Sequence, residues 1–295
     1  MMTGCCNICG KFGKLTRDHV PPKGSADLRD VNIQSYTDMI LGAKSATVNP
    51  SDPNALVADF SHRRVSQNGL KFRTICADCN NNLLGSRYDP EIIRVSEAVR
   101  TFVRPYADCG IIPPETVRVS VRTHYLLRGI IGHLLAAIEF PNRNKPYDTF
   151  GKSVYDSLRR YVLDESLPLP SCVTVYYWTY PYKDQLVIKS LCVCEQRKGE
   201  CVIGDLLKFF PLAYFIAFEG ELKLLAPTIV GHGCSDMNCS VDLSINFGKI
   251  PPMGWPEKPG PEHCVIVPAG ASSIVALRTP PPSVSPGRRR NSGFS

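Results

Sequence analysis

Two short cysteine pairs, Cys6-Asn7-Ile8-Cys9 and Cys76-Ala77-Asp78-Cys79, constrain this chain more than any other feature. A Cys-x-x-Cys turn aims both sulfurs at one point. Two such turns complete a tetrahedral four-thiolate site of the kind that holds structural zinc. Any fold must then bring residue 6 against residue 76. The competing reading of each pair is a redox dithiol, but two pairs flanking a hairpin argue against it. Thirteen cysteines in 295 residues suggest staples, yet the chain is too long for a disulfide-stapled mini-fold. The opening Met1-Met2-Thr3-Gly4-Cys5 carries no apolar signal core, so reduced thiols in a cytoplasmic setting are expected. No apolar run reaches the roughly 18 residues of a membrane span, and residues 125–140 and 206–218 read as core elements.

The composition, 43% hydrophobic and 21% charged, supports a buried core. The expected fold class is α+β: an N-terminal zinc module in residues 1–110, a mixed domain of sensing, targeting or self-associating role in 111–278, and a disordered basic tail in 279–295. Residues 12–19 read as extended, ended by Pro21-Pro22. Residues 24–55 read as a polar inserted loop with one short helix near 36–43. Residues 56–65 and 70–75 read as two strands of a hairpin around Gln67-Asn68-Gly69. Cys76 and Cys79 then open a helix that Gly85 interrupts. A second helix over 90–103 follows from Asp89 as cap, Pro90 at the first position and an apolar face through Ile92, Val95 and Val99. Pro113-Pro114 marks the domain boundary. A strand is expected at 116–121 and helices at 124–140 and 149–163. Further strands are expected at 172–179, 185–194, 212–219, 222–225, 239–246, 264–267 and 274–277.

Nine residues after Cys9 comes Asp18-His19. A carboxylate beside an imidazole can divide the work of phosphodiester hydrolysis. The carboxylate oxygen suits a hard divalent cation, and neutral histidine is a base poised near pH 7. Cys6–Cys9, the run Leu15-Thr16-Arg17-Asp18-His19-Val20-Pro21-Pro22, and Cys76–Cys79 with Asn80 together resemble the HNH endonuclease family in its zinc-containing treble-clef, ββα-metal form. The resemblance covers about residues 4–90. It implies that His19 activates water and that Asp18 and Asn80 hold a catalytic Mg²⁺ or Mn²⁺. Zinc on Cys6, Cys9, Cys76 and Cys79 is then purely structural. The family's middle asparagine falls on Lys71 here. Asn68 either takes over the task of orienting His19 or serves only the Asn-Gly turn.

Arg64, Lys71 and Arg73 are the expected phosphate contacts; the other reading is a solvated hairpin face. The net charge of +7, with four arginines and no acid in residues 278–295, suits a polyanion as well as it suits solubility. Cys192-x-Cys194 with Cys201, His232, Cys234 and Cys239 offers a second metal site, against the commoner role of cysteine as a small buried hydrophobe. His124 and His133 read as core or interface histidines, and Tyr176, Tyr177, Trp178, Tyr180 and Tyr182 as a packing cluster. The function expected is metal-dependent endonuclease on double-stranded DNA, as an effector of prokaryotic anti-phage defence or restriction. The C-terminal domain would serve a partner protein or self-association. The alternative is a zinc-dependent nucleic-acid-binding or adaptor protein without catalysis; a third reading is a redox or metal-storage protein.

Overall fold

The first cysteine pair hangs from a small antiparallel sheet in strand order β1-β2-β5, formed by β1 (Thr3–Cys5), β2 (Phe12–His19) and β5 (Lys71–Cys76). The computed structural model describes residues 2–26, 31–36, 39, 64–66, 69–109, 114–138, 152–229, 236–258, 263–267 and 273–278. β2 meets β5 with Leu15 opposite Cys76 and His19 opposite Lys71. Between Thr16 and Asp18 the register shifts, so that Arg73 and Thr74 face the single residue Arg17. Such a bulge re-aims the strand end.

From Cys76 the chain enters a helix, as expected, but Gly85 does not break it. Residues of α1 (Asp78–Tyr88) are wound in the wide π form and run directly into α2 (Asp89–Cys109). The Asp89 amide bonds back to the Leu84 carbonyl, closing the wide turn across Gly85. α3 (Thr123–Ala136) packs across both helices through Gly129 and Gly132. A Cβ at Gly132 would meet Leu84 at 2.5 Å, and one at Gly129 would meet Ile92 at 2.7 Å, so the absence of side chains permits the close approach. α4 (Lys152–Leu163) covers α3 on the far side.

The rest is β-rich. β3 (Val31–Ser35), β4 (Arg64–Ser66), β7 (Thr174–Thr179), β8 (Gln185–Glu195), β9 (Glu200–Phe209), β10 (Leu212–Gly220), β11 (Thr228–Ile229), β13 (His263–Ile266) and β14 (Ser273–Arg278) form one nine-stranded sheet. Its order is β11-β7-β10-β9-β8-β14-β3-β4, with β13 beside β8. β6 (Thr116–Arg122) and β12 (Ser240–Asn246) pair as a separate ribbon. Both faces of the large sheet's central strands β7, β9 and β10 are largely buried. Val175, Tyr177, Tyr214 and Ile216 join the core under α3, while Tyr176, Trp178, Phe215 and Ala217 build a second core with Tyr36. The aromatic cluster is therefore packing. The first core also holds Cys6, Ile8, Leu84 and Tyr88, so residues on both sides of the expected boundary share it.

Three expectations change. Part of the stretch expected as a polar loop is β3, paired with β14, because a partner some 240 residues later supplies the ladder. Among the described residues the expected hairpin is not formed: β4 pairs β3 in the large sheet while β5 pairs β2 in the small one, and residues 56–63 lie outside the described residues. Gly69 has the positive φ of +66° that the turn signal demands, but β4 before it and β5 after it belong to different sheets. Residues 222–225 are not a strand, and β9, unexpected as a separate strand, fills the place between β8 and β10. The mixed α+β class stands. Residues 279–295, Asn68, His232 and Cys234 lie outside the described residues.

Candidate metal centre and its surroundings

The four sulfurs of Cys6, Cys9, Cys76 and Cys79 lie within 4.8 Å of one another. The Cys6 turn is set by the Gly10 amide donating to the Cys6 carbonyl at 2.8 Å, with Gly10 at φ +73°. The Cys76 amide donates to Cys6 Sγ at 3.3 Å, a contact that favours a thiolate. Cys9 Sγ and Cys76 Sγ are 3.8 Å apart. Two thiolates on one tetrahedral zinc, each at about 2.3 Å, would be separated by about 3.8 Å. The acidities fit a shared charge. A hydrogen bond from Cys79 lowers the Cys6 thiol to about 4, burial pushes Cys9 up to about 11, and the bond to Cys6 pushes Cys79 far up. Without a cation one thiolate is held by its neighbours' protons; a dication replaces those protons. This cluster could hold a metal such as zinc.

Asn80, one residue past the fourth cysteine, reaches back to β2. Its Nδ2 donates to the Arg17 carbonyl at 2.9 Å and to Thr16 Oγ1 at 3.1 Å. That orientation leaves its carbonyl oxygen for another partner. Asp18 and His19 follow Arg17 directly in the chain, so Asn80 is anchored to β2 just before them. Asp18 is 4% exposed and its Oδ2 is hydrogen-bonded to His133 Nδ1 at 3.1 Å. His133 Nε2 in turn bonds Asp89 Oδ1 at 2.7 Å. Burial opposes charge on His133, but Asp89 and Asp18 together push its pKa up to about 10, so an imidazolium sits between two carboxylates. His19, half-buried, is shifted the other way: burial, then the Lys71 and Lys23 charges, outweigh Asp18 and keep it neutral near pH 7.

The knuckle is also tied to α3. Asn7, inside the first cysteine pair, donates its Nδ2 to the Leu135 carbonyl at 3.0 Å and the Ile138 carbonyl at 2.7 Å. The Thr74 hydroxyl donates to the Ala136 carbonyl, and Lys189 Nζ to that of Leu134 at 3.1 Å. These bonds satisfy the orphan carbonyls of a buried helix end.

Lys71 and Arg73 lie half-buried on β5, and Arg17 is exposed opposite the bulge. Arg64 is on β4, in the other sheet. Sequence reasoning placed His133 in the core but missed its partners, and it missed Asn7 and Asp89. The available signal was chemical: a histidine within an apolar helix needs hydrogen-bond partners. His124 is a core histidine, bonded to the Tyr161 hydroxyl at 2.8 Å. Cys192, Cys194 and Cys201 form a second group of sulfurs that could hold a metal; Cys239 is not in it. Among the described residues no helix is long and apolar enough to cross a membrane. No protein-family model matches the chain, and no curated protein or solved structure matches it.

Proposed function

We propose that the protein is a metal-dependent HNH-type endonuclease acting on double-stranded DNA, with its catalytic elements mounted on a treble-clef zinc module. The observation that carries this reading is the pair of bonds from the Asn80 amide to Thr16 and Arg17, beside Asp18-His19 and next to the thiol cluster. Zinc on Cys6, Cys9, Cys76 and Cys79 would pin β2, β5 and the start of α1 together. Two oxygens suit a hard cation: the Asn80 carbonyl, and Asp18 Oδ1, which accepts no hydrogen bond among the described residues. Mg²⁺ or Mn²⁺ bound there would neutralise charge developing on the phosphate. Neutral His19 takes the proton from the attacking water. His133 holds Asp18 by one oxygen and so orients the other. Lys71, Arg73 and Arg17 would contact phosphates along the duplex, with Arg64 an outlying contact. The large sheet leaves room for sensing, targeting or self-association, as an effector of anti-phage defence or restriction requires.

Purified zinc-loaded protein should nick plasmid DNA with Mg²⁺ or Mn²⁺ and lose the activity when both ions are left out. Plasmid that stays intact under every metal while remaining bound would refute the enzyme. That result would favour the second reading, a zinc-dependent nucleic-acid-binding protein without catalysis. Its support is the burial of Asp18 against His133 and the lysine at the middle signature position, Lys71.

A further inference from the structure

We infer that Cys192, Cys194, Cys201 and Cys264 form a second thiolate site, for one thiophilic metal ion such as zinc, on one face of the large sheet. The register places them. Cys264 of β13 is directly opposite Cys194 of β8, and Cys194 is directly opposite Cys201 of β9. Directly opposed residues in antiparallel strands point to the same face, so these three sulfurs form a row across three strands. Cys192 is two residues from Cys194 and shares its face. Its own row runs through Ile203 on β9 and Ile266 on β13.

Distances agree with the register. Cys192 Sγ and Cys194 Sγ are 3.5 Å apart, close to the about 3.8 Å between two thiolates on a tetrahedral zinc. The sulfurs of Cys192, Cys194 and Cys201 all lie within 4.8 Å of one another. Cys264, outside that group of three, is the fourth donor by its place directly opposite Cys194 on the same face. All four are partly buried, as befits a closed structural site, and 61%-exposed Ile266 marks how near this face is to solvent. A metal here would pin β13 to the β8–β9 hairpin, a tie that a bond between Cys194 and Cys201 alone does not make.

Cys194 and Cys201 are joined as a disulfide in the structure, so the site forms on reduction. A trialkylphosphine supplies two electrons and becomes the phosphine oxide with oxygen from water. The two sulfurs take up the two protons of that water, and the metal then displaces the thiol protons. The site is independent of the nuclease reading.

The test is metal counting on the full chain, expressed with zinc, reduced with a phosphine and desalted. Elemental analysis should give about two zinc per chain in wild type and about one in Cys192→Ser/Cys264→Ser. Cobalt substitution should show a comparable halving of the thiolate-to-cobalt charge-transfer band. Each single variant, Cys192→Ser and Cys264→Ser, is measured beside the double variant with circular dichroism as a check on folding. A wild-type count of one that is unchanged in folded variants would overturn the proposal. A count of one that vanishes in the double variant would support it and speak against the first cluster instead.

Discussion

The two sheets are held together by different means. The large one has its central strands largely buried on both faces, with Val175, Tyr177, Tyr214 and Ile216 on one side and Tyr176, Trp178, Phe215 and Ala217 on the other. Its few buried charges are paired, Lys189 with Asp205 and Lys208 with Glu257. The small one has three strands, one of only three residues, and cannot bury enough apolar surface to stand alone. Phe72 and Ile75 of β5 join the first core, and four thiols, the Asn7 and Thr74 bonds to the end of α3, and the His133 bridge add ties of another kind. The difference teaches that the candidate site sits where polar ties and a thiol cluster supplement a small apolar contribution, so single changes there should act sharply and locally.

The largest effect should come from the thiols. Binding of structural zinc contributes on the order of 10 kcal/mol in small zinc modules. Cys79→Ser should therefore abolish amide-exchange protection in β2 and β5 while β7 to β10 keep theirs. Simultaneous loss in both sheets would break the comparison.

His133→Gln comes next. Removing one partner of a buried charge pair typically costs about 3–5 kcal/mol, read as the midpoint of chemical denaturation. The sign with pH follows from the shift. The folded pKa of about 10 exceeds the ordinary 6.5, so the bridge stabilises fully below about 6.5 and its contribution is lost as pH rises towards 10. The stability difference between wild type and His133→Gln should shrink over that window; a constant difference would contradict an imidazolium. In the large sheet, Lys208→Met should cost a similar amount because it strands Glu257. The double change Lys208→Met/Glu257→Leu should return to within about 1–2 kcal/mol of wild type, since apolar packing replaces a buried pair well. A double variant as unstable as the single would show that the pair is more than packing.

Asn7→Ala should cost about 1–3 kcal/mol by removing the side-chain donor to the Leu135 and Ile138 carbonyls. The smallest expected change is electrostatic. Lys71→Ala and Arg73→Ala should each lower the slope of log affinity against log salt for duplex DNA by about 1. An unchanged slope would remove β5 from the interface.

What could be read from the chain alone follows range in sequence. The thiol cluster was visible because each Cys-x-x-Cys is local and two copies imply one site. The helix over 90–103 was visible because its proline and apolar period are local, but Asp89, expected as its cap, lies inside a continuous helical run and bonds His133 instead. β3 was not, since its ladder partner β14 lies near the far end of the chain. The positive φ of Gly69 was legible locally, but the strands on its two sides pair in different sheets, which the turn signal could not tell. Strands of the large sheet, apolar on both faces, offered no alternation to register them. His133 read as core from its helix, yet Asp18 and Asp89 are 115 and 44 residues away, so its bridge required the fold. Cys264 stayed ungrouped for the same reason.

The central claim is that His19, held beside Asp18 and Asn80, is the base of a metal-dependent nuclease. The direct test compares initial plasmid-nicking rates of zinc-loaded wild type and His19→Ala in Mn²⁺, with DNA binding measured on the same preparations. The account predicts a loss of about 10²–10⁴-fold in rate with binding and zinc content unchanged. A His19→Ala protein that nicks at the wild-type rate would contradict it.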